Sequence, residues 1–451
     1  MKKKSFIDDY LKHYAVRGNW KFVTGETEPV SQVVVIPVLA EKESLFHTLA
    51  SLAENDASAL EYSLVVCVVN NQENSSADIK DDNQFTLEYL DTLVRKKSIK
   101  KIAPDDSLMR CLSLVSDSRM KLGYIDASSH GCELPVRGGG VGMARKIGMD
   151  SVLRLSGNGS QPPEIIISLD ADTLVQKNYL SVIHDSFKPG VKTAIVAYEH
   201  QTPSAEIHQA AILCYEIFLR YWVLGLKYAG SPRAFHSIGS TISVSTEAYL
   251  EVRGMNKREA GEDFYFLNKL AKVGRIDYIR ETCVYPSARP SNRVPFGTGK
   301  RVSRFLSSNH QDEYRLYDPQ VFSVLKQWLH WMTGDGLSSG DDIIRGAERI
   351  HPALKNFLVK NDFRQVWTRI RSNVKDETNL RRHFHDWFDG FRTLKMIHHL
   401  TETVYPQISM FAALERMLAM SGLTSSKYSD DRNVPNLPEQ REILTFLRKV
   451  T

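Results

Sequence analysis

Cysteine is scarce and unpatterned in this chain of 451 residues. Its five cysteines, Cys67, Cys111, Cys132, Cys214 and Cys283, show no C-x-x-C spacing, which excludes a disulfide scaffold and a zinc ribbon. Cys67 and Cys214 sit in apolar runs, as reduced core thiols do, and this usage suits a cytoplasmic protein. Long uncharged apolar runs are missing too. The most apolar long window, Ala210 to Leu226, carries Glu216 and Arg220, whereas a membrane-spanning helix needs about 20 largely uncharged residues. No transmembrane segment is expected; peripheral contact with the inner membrane face stays compatible with the sequence. Lys2-Lys3-Lys4 opens like an export signal, but Asp8 and Asp9 interrupt the apolar part. An excess of one charge is also lacking: 58 basic against 53 acidic residues leave +5, too mild for a nucleic-acid wrapper, so no nucleic-acid partner is expected. At 42% hydrophobic and 25% charged residues the chain is neither disordered nor fibrous, and its length suggests two or three domains.

The regular elements are legible from periodicity. Gln32 to Val38 reads V-V-V-I-P-V, a buried strand, and apolar residues at helical spacing follow over Lys42 to Asn55. Ser63 to Val69 is a second strand, ending in Asn70-Asn71, and Phe85 to Val94 is again helical. Gly138-Gly139-Gly140-Val-Gly142 opens a helix running to Leu155, and Glu164 to Leu169 is a third strong strand closed by Asp170-Ala171-Asp172. Strands follow over 192–198, 237–245 and 276–284, with helices over 205–228, 247–252 and 262–273. This alternation predicts an α/β domain with a mainly parallel central sheet and helices on both faces. A Pro/Ser/Gly/Arg-rich loop spans Pro286 to Arg304, and helices follow over 321–332, 352–374, 380–403, 408–420 and 438–450. The expected division is an N-terminal extension over 1–30, the α/β domain over 31–300 and a helical region over 301–451.

Two acidic motifs carry the chemistry. In Asp170-Ala171-Asp172, residues i and i+2 of an extended segment project to one side, and such a carboxylate pair repels itself unless a cation sits there. Mg²⁺ or Mn²⁺ held by one or two carboxylates plus phosphate oxygens is the usual arrangement at nucleotide sites. The competing reading is an Asp-rich turn capping the next helix. Gly261-Glu262-Asp263 places two carboxylates in the first turn of a helix, where the dipole favours them for stability alone. Downstream of a metal-type pair, one of them gains a second reading as general base for an attacking hydroxyl.

In their order and spacing, V-V-V-I-P-V-L-A-E, G-V-G-M-A-R-K-I-G-M-D, L-D-A-D and G-E-D-F-Y-F-L resemble the family-2 type of glycosyltransferase with a GT-A fold, over Val33 to Val284. The resemblance implies transfer of a sugar from a UDP- or GDP-sugar to an acceptor hydroxyl, with Mn²⁺ or Mg²⁺ as cofactor. By it, Pro37, Ala40 and Glu41 border the nucleotide, Arg145 lies near its base or phosphates, and Asp170 approaches the ribose and diphosphate. Asp172 binds the metal directly, Gly239 and Ser240 lie by the donor sugar, and Asp263 supported by Glu262 is the base of an inverting reaction. Where family members often carry an Asp-Asp-Gly-Ser run, this chain has Asn70-Asn71-Gln72-Glu73, whose amides can still hydrogen-bond a base edge. The acceptor, whether saccharide, lipid-linked or small molecule, is not specified by any motif.

Arg289, Arg293, Lys300, Arg301 and Arg304 crowd the Gly/Pro loop and read either as a cationic lid over a diphosphate, with Arg289 and Arg293 as the phosphate contacts, or as a solvated linker. His383, His385, His398 and His399 suggest a metal, but His383 and His385 point to opposite sides of a helix, so ordinary histidines are expected. Rival functions are a haloacid-dehalogenase-type phosphohydrolase, with Asp170 as nucleophile and Gly340-Asp341-Asp342 as the later acidic pair, a nucleotidyltransferase, and a non-catalytic nucleotide-sugar or carbohydrate binder.

Overall fold

The structure is a computed structural model that describes residues 2–25, 28–98, 106–154, 162–291, Arg293, 297–307, 310–334, 339–374, 376–423 and 434–451. It divides into two units: Met1–Thr202, Ser237–Ala288 and Arg293–Gly297 form the first, and Pro203–His236, Arg289–Asn292 and Thr298–Thr451 the second. This differs from the expected division in two ways. The N-terminal residues belong to the α/β unit, and the helix Glu206–Tyr228 belongs with the C-terminal helices although it lies between two strands in sequence.

The first unit holds one sheet of nine strands: β1 (Phe22–Thr24), β2 (Gln32–Val38), β3 (Ser63–Asn70), β4 (Lys121–Ala127), β5 (Ile165–Ser168), β6 (Leu174–Val175), β7 (Thr193–Tyr198), β8 (Ile242–Ser245) and β9 (Ile276–Tyr285). Their order is β1-β4-β3-β2-β5-β8-β7-β9-β6. The neighbours β4, β3, β2 and β5 run parallel, and every residue of β2, β3 and β5 is buried. Their β-branched runs follow from this, since a parallel strand covered by helices on both faces has no solvent side. Beyond β5 the sheet is mixed, with β8 antiparallel to both β5 and β7 and β7 parallel to β9.

Elements of this unit that lie outside the sequence reading include β1, β4 and the helix Asp106–Asp117. β4 reads K-L-G-Y-I-D-A, and its charged residues and Gly123 break the apolar pattern, yet it is buried because β3 and β1 flank it. Gly123 is required there, since a Cβ would lie 2.8 Å from the Phe22 ring. β1 is too short to register, and the helix Asp106–Asp117 buries only Cys111, Leu112 and Val115. The expected strand over 237–245 begins at Ile242, after a 3-10 turn at Gly239–Thr241.

The second unit is built from the helices Glu206–Tyr228, Thr298–Ser307, Gln320–Thr333, Gly340–Ile350, Pro352–Lys360, Phe363–Asn373, Glu377–Trp387, Gly390–Thr403, Met410–Met420 and Leu437–Val450, with a small pair β10 (Arg315–Leu316) and β11 (Ile408–Ser409). Trp328 sits at its centre, with the rings of Phe363 and Phe384 at 5.8 and 5.6 Å. Both long helices expected here are broken. Asp362 adopts φ 52° between the first two segments, and Asp389 caps the last by accepting from the Arg392 N–H at 3.1 Å. The Arg-rich loop also ends early, because Thr298–Ser307 is helical; residues 292 and 294–296 of that loop lie outside the described residues.

The helix Val141–Leu153 lies on β2 and β3 through Gly148, where an added Cβ would meet Val68 Cγ2 at 2.9 Å and Val35 Cγ1 closer still. Gly148→Ala is therefore expected to cost about 1–3 kcal/mol by overpacking, read as a lower urea midpoint. An unchanged midpoint would show that the helix does not seat this closely.

Candidate active site

From β2 the chain moves outward to β3 and β4 and then returns to β5 on the other side of β2. The carboxyl ends of β2 and β5 thus flank a topological switch point, where open α/β sheets leave a crevice for ligands. Leu39 to Glu41 follow β2 there, and Asp170-Ala171-Asp172 follows β5. Pro37 is tolerated in this central strand because of its position. The carbonyl of Val35 accepts from the Leu169 N–H, so position 37 also faces β5, past the last paired residue, where a missing N–H breaks no ladder bond.

The backbone of the Asp-Ala-Asp turn is pinned from two sides. Thr48 Oγ1 donates to the Ala171 carbonyl at 2.9 Å, and Gln201 Nε2 donates to the Asp172 carbonyl at 3.0 Å. Asp170 is about a third exposed, and Asp172 is half-buried.

Arg145 joins this turn to the second acidic motif. Its Nη2 donates to Asp170 Oδ1 at 2.5 Å, its Nε to Glu262 Oε1 at 3.1 Å and its Nη1 to Ser168 Oγ. The residue is 2% exposed, so the guanidinium does not present itself to a phosphate, as the sequence resemblance implied, but lies beneath the acids and ties them together. Gly239 exists for the same purpose: any Cβ at that position would collide with Arg145 Nη2. Ser240 beside it is buried, and its hydroxyl has no hydrogen-bond partner among the described residues.

The glycine-rich segment makes room for the acidic motif. A Cβ on Gly140 would lie 2.5 Å from Glu259 Cα, and one on Gly142 would lie 2.5 Å from the Asn256 carbonyl and 2.9 Å from Glu262 Cβ. The loop that leads to Glu262 and Asp263 therefore rests directly on these glycines. Gly261, in the left-handed region at φ 68°, turns the chain into the helix Glu262–Val273.

At the β3 end the geometry corrects an expectation. Asn70 and Asn71 are 5% and 1% exposed, and their side chains are spent inside the fold rather than on a base edge. Asn70 Nδ2 donates to the carbonyls of Val38 and Val68 at 2.8 and 3.1 Å. Asn71 Oδ1 accepts from Asn83 Nδ2 at 2.9 Å and from Ser128 Oγ. Asn83, which the sequence reading passed over, also accepts the Ala40 N–H at 2.9 Å, holding Ala40 at φ 49°. Arg293 clasps the same loop, donating to the Leu39 carbonyl at 2.8 Å, to Glu41 Oε1 at 2.6 Å and to the Ala40 carbonyl at 3.0 Å. Its charge thus secures the loop after β2. The other expected lid cations fall to the second unit, where Arg304 pairs with Glu313 at 2.5 Å.

Asp170, Glu262 and Asp263 gather at the guanidinium of Arg145, and Asp172 lies in the same turn as Asp170. Burial, and next the charge of Glu262, push the Asp263 carboxyl up from 3.8 to about 7. Burial likewise raises Glu262, against the lowering effect of Arg145. Two carboxylates two residues apart in the turn after β5, Asp170 and Asp172, are the hard oxygen ligands a divalent cation takes. Among the described residues no group of three or more His, Cys, Asp or Glu side chains is placed to hold a metal. Two carboxylates would leave the other coordination positions to water and phosphate oxygens, which is how Mg²⁺ is usually held at nucleotide sites.

The other candidate features do not build a site. Asp341 pairs with Arg364 and Asp342 with Arg345 at the start of a helix in the second unit, which leaves the dehalogenase reading without its later acidic pair. His398 Nε2 lies 2.9 Å from the Tyr317 hydroxyl. A recess of about 550 Å³, lined by Gln84, Phe85, Glu88, Tyr124 and Asp126 among others, lies at β4, three strands along the sheet from β5.

No family model matches this chain, and no curated protein does. Similar solved structures are S. aureus TarS 1-349 in complex with UDP-GlcNAc (13% identity, TM-score 0.38, covering 78% of this chain and 90% of that one) and a mannosyltransferase from Pyrobaculum calidifontis in complex with GDP-Man and Mn²⁺ (13%, 0.36, 86% and 95%). M. tuberculosis glucosyl-3-phosphoglycerate synthase is also similar (13%, 0.34, 63% and 80%). At these values the likeness carries no weight for function, which rests on the residues described above.

The raised carboxyl of Asp263 has a sign that can be checked. Between about pH 4 and pH 7 the folded protein keeps a proton that the unfolded chain has lost, so this group lowers stability as pH rises through that window. Asp263→Asn removes the penalty. The variant is expected to melt ~2–4 °C above the unmutated protein near pH 8, with the gap closing toward pH 4. A gap independent of pH would show that the carboxyl is not raised.

Proposed function

We propose that this chain is a metal-dependent glycosyltransferase of the family-2 type, which moves a sugar from a UDP- or GDP-sugar to an acceptor hydroxyl with inversion at the anomeric carbon. The observation that carries this reading is the Arg145 bridge. It brings the Asp170-Ala171-Asp172 turn and the Glu262-Asp263 pair, far apart in sequence, into one cluster at the switch point of the sheet.

Asp172, with Asp170 beside it, would hold Mn²⁺ or Mg²⁺, which when bound supplies positive charge to the departing diphosphate. The residues of the chain do the rest. Arg145 holds Asp170 in place and keeps the cluster from repelling itself apart. The loop from Leu39 to Glu41, braced by Asn83 and Arg293, forms the opposite wall. Asp263 takes the proton of the acceptor hydroxyl as its oxygen bonds to the anomeric carbon. The bond from that carbon to the phosphate oxygen breaks at the same time, and its electron pair leaves with the nucleoside diphosphate. Desolvation first, and then the charge of Glu262 bound to Arg145, keep Asp263 basic enough near neutral pH to accept the proton. A cytoplasmic location, with peripheral contact at the inner membrane face, is part of the same proposal.

The test is a panel of UDP- and GDP-sugars with and without Mn²⁺, read by thermal shift for binding and by nucleoside diphosphate release for turnover. Asp172→Ala is expected to lose Mn²⁺-dependent donor binding. Asp263→Asn is expected to keep donor binding and lose turnover by ~10²–10⁴-fold. In the unmutated protein turnover should climb with pH through about 7, as Asp263 ionises. Equal donor affinity in Asp172→Ala, or full turnover by Asp263→Asn, would contradict the reading.

A further inference from the structure

A second buried charge cluster lies on the reverse side of the helix that carries Arg145. Asp150, five residues further along, is 0% exposed. Its Oδ1 accepts from the hydroxyls of Tyr10 and Tyr249, each at 2.7 Å, and its Oδ2 from the Val16 N–H at 2.8 Å. Lys146 Nζ stands 3.2 Å from Oδ2 and donates to the Tyr10 hydroxyl oxygen at 2.7 Å. Three helices meet at this one carboxylate: Lys2–His13 through Tyr10, Val141–Leu153 through Asp150 and Lys146, and Thr246–Glu251 through Tyr249.

The cluster also reaches the acidic motif. Gly254, at φ 72°, packs so closely that a Cβ would lie 2.7 Å from Lys146 Nζ, 3.0 Å from the Tyr249 hydroxyl and in collision with that of Tyr10. From the other side Lys269, on the helix that Glu262 and Asp263 open, donates to the carbonyls of Val252 and Gly254 at 3.0 and 2.6 Å. The segment from Val252 to Gly261 is thereby held between the Asp150 cluster and its own helix. Removing one partner of a buried charge is costly, so the contacts at Asp150 hold the three helices and the Gly254 segment together.

We propose that Asp150, Tyr10 and Tyr249 are positioning residues: through them the N-terminal helix sets the Arg145 helix and the loop before Glu262 in the register that the acid cluster requires. Its catalytic half rests on the transferase reading above; its structural half does not. The test compares Tyr10→Phe and Tyr249→Phe, which keep the ring and drop one hydroxyl, with Cys67→Ala, a core truncation in β3 outside the clamp. Amide hydrogen exchange over residues 253–264 is expected to quicken several-fold in both tyrosine variants, with β2 and β3 unchanged. With a sugar nucleotide that the unmutated protein turns over, kcat is expected to fall about ten- to a hundredfold, with donor KM held within about twofold, while Cys67→Ala keeps its kcat. Faster exchange confined to residues 2–17, or a kcat no lower than that of Cys67→Ala at equal loss of melting temperature, would overturn the proposal. Should the unmutated protein turn over no sugar nucleotide, the transferase reading fails and the exchange measurement alone decides the clamp.

Discussion

A guanidinium shut away from water must be surrounded by countercharge, because an unpaired buried ion is among the costliest things a fold can contain. Arg145 meets that requirement with Asp170 and Glu262, and Ser168 satisfies its remaining edge. Much of the local sequence follows. Gly239 is bare so that the guanidinium fits. Gly140 and Gly142 are bare so that the loop bearing Glu262 comes near enough to be reached. Ser168 interrupts an otherwise apolar strand because a hydroxyl is needed at that depth.

The same constraint divides the labour among the acids. Asp170 and Glu262 are bound to Arg145, and Asp172 and Asp263 are the acids to which the proposed reaction gives the cation and the proton. Asp263, half-buried beside a second acid, has its carboxyl pushed up by desolvation to about 7, while Asp172 follows a strand end at the crevice. A carboxyl raised toward neutral pH suits a general base, and Asp172, in the turn after β5, is the proposed cation ligand. Placement at the switch point of the sheet gives both roles access to one ligand.

What could be read from the sequence follows the same physics. β2, β3 and β5 were legible because a strand buried on both faces has to be apolar throughout. The two acidic motifs were legible because charge beside such strands is expensive unless used. The role of Arg145 was not, since its partners lie 25 and 117 residues away and no local pattern announces a bond of that span. Asn70 and Asn71 were read as base contacts because the resemblance puts them where family members carry an Asp-Asp-Gly-Ser run; only the position of Asn83 shows them turned inward. β4 escaped because its burial depends on β1 and β3 rather than on its own composition. The helical unit was legible as helical, but its breaks at Asp362 and near Asp389 are set by backbone geometry and capping that apolar periodicity does not register.

The most direct measurement is anomalous diffraction at the manganese edge from crystals grown with Mn²⁺ and a nucleoside diphosphate. The expected map shows one peak against the carboxylates of Asp170 and Asp172, with the diphosphate on it and Asp263 facing the same space. A peak elsewhere, with Asp170 still engaged only by Arg145 and nucleotide bound away from the β2–β5 crevice, would contradict the assignment of this cluster as the reaction centre.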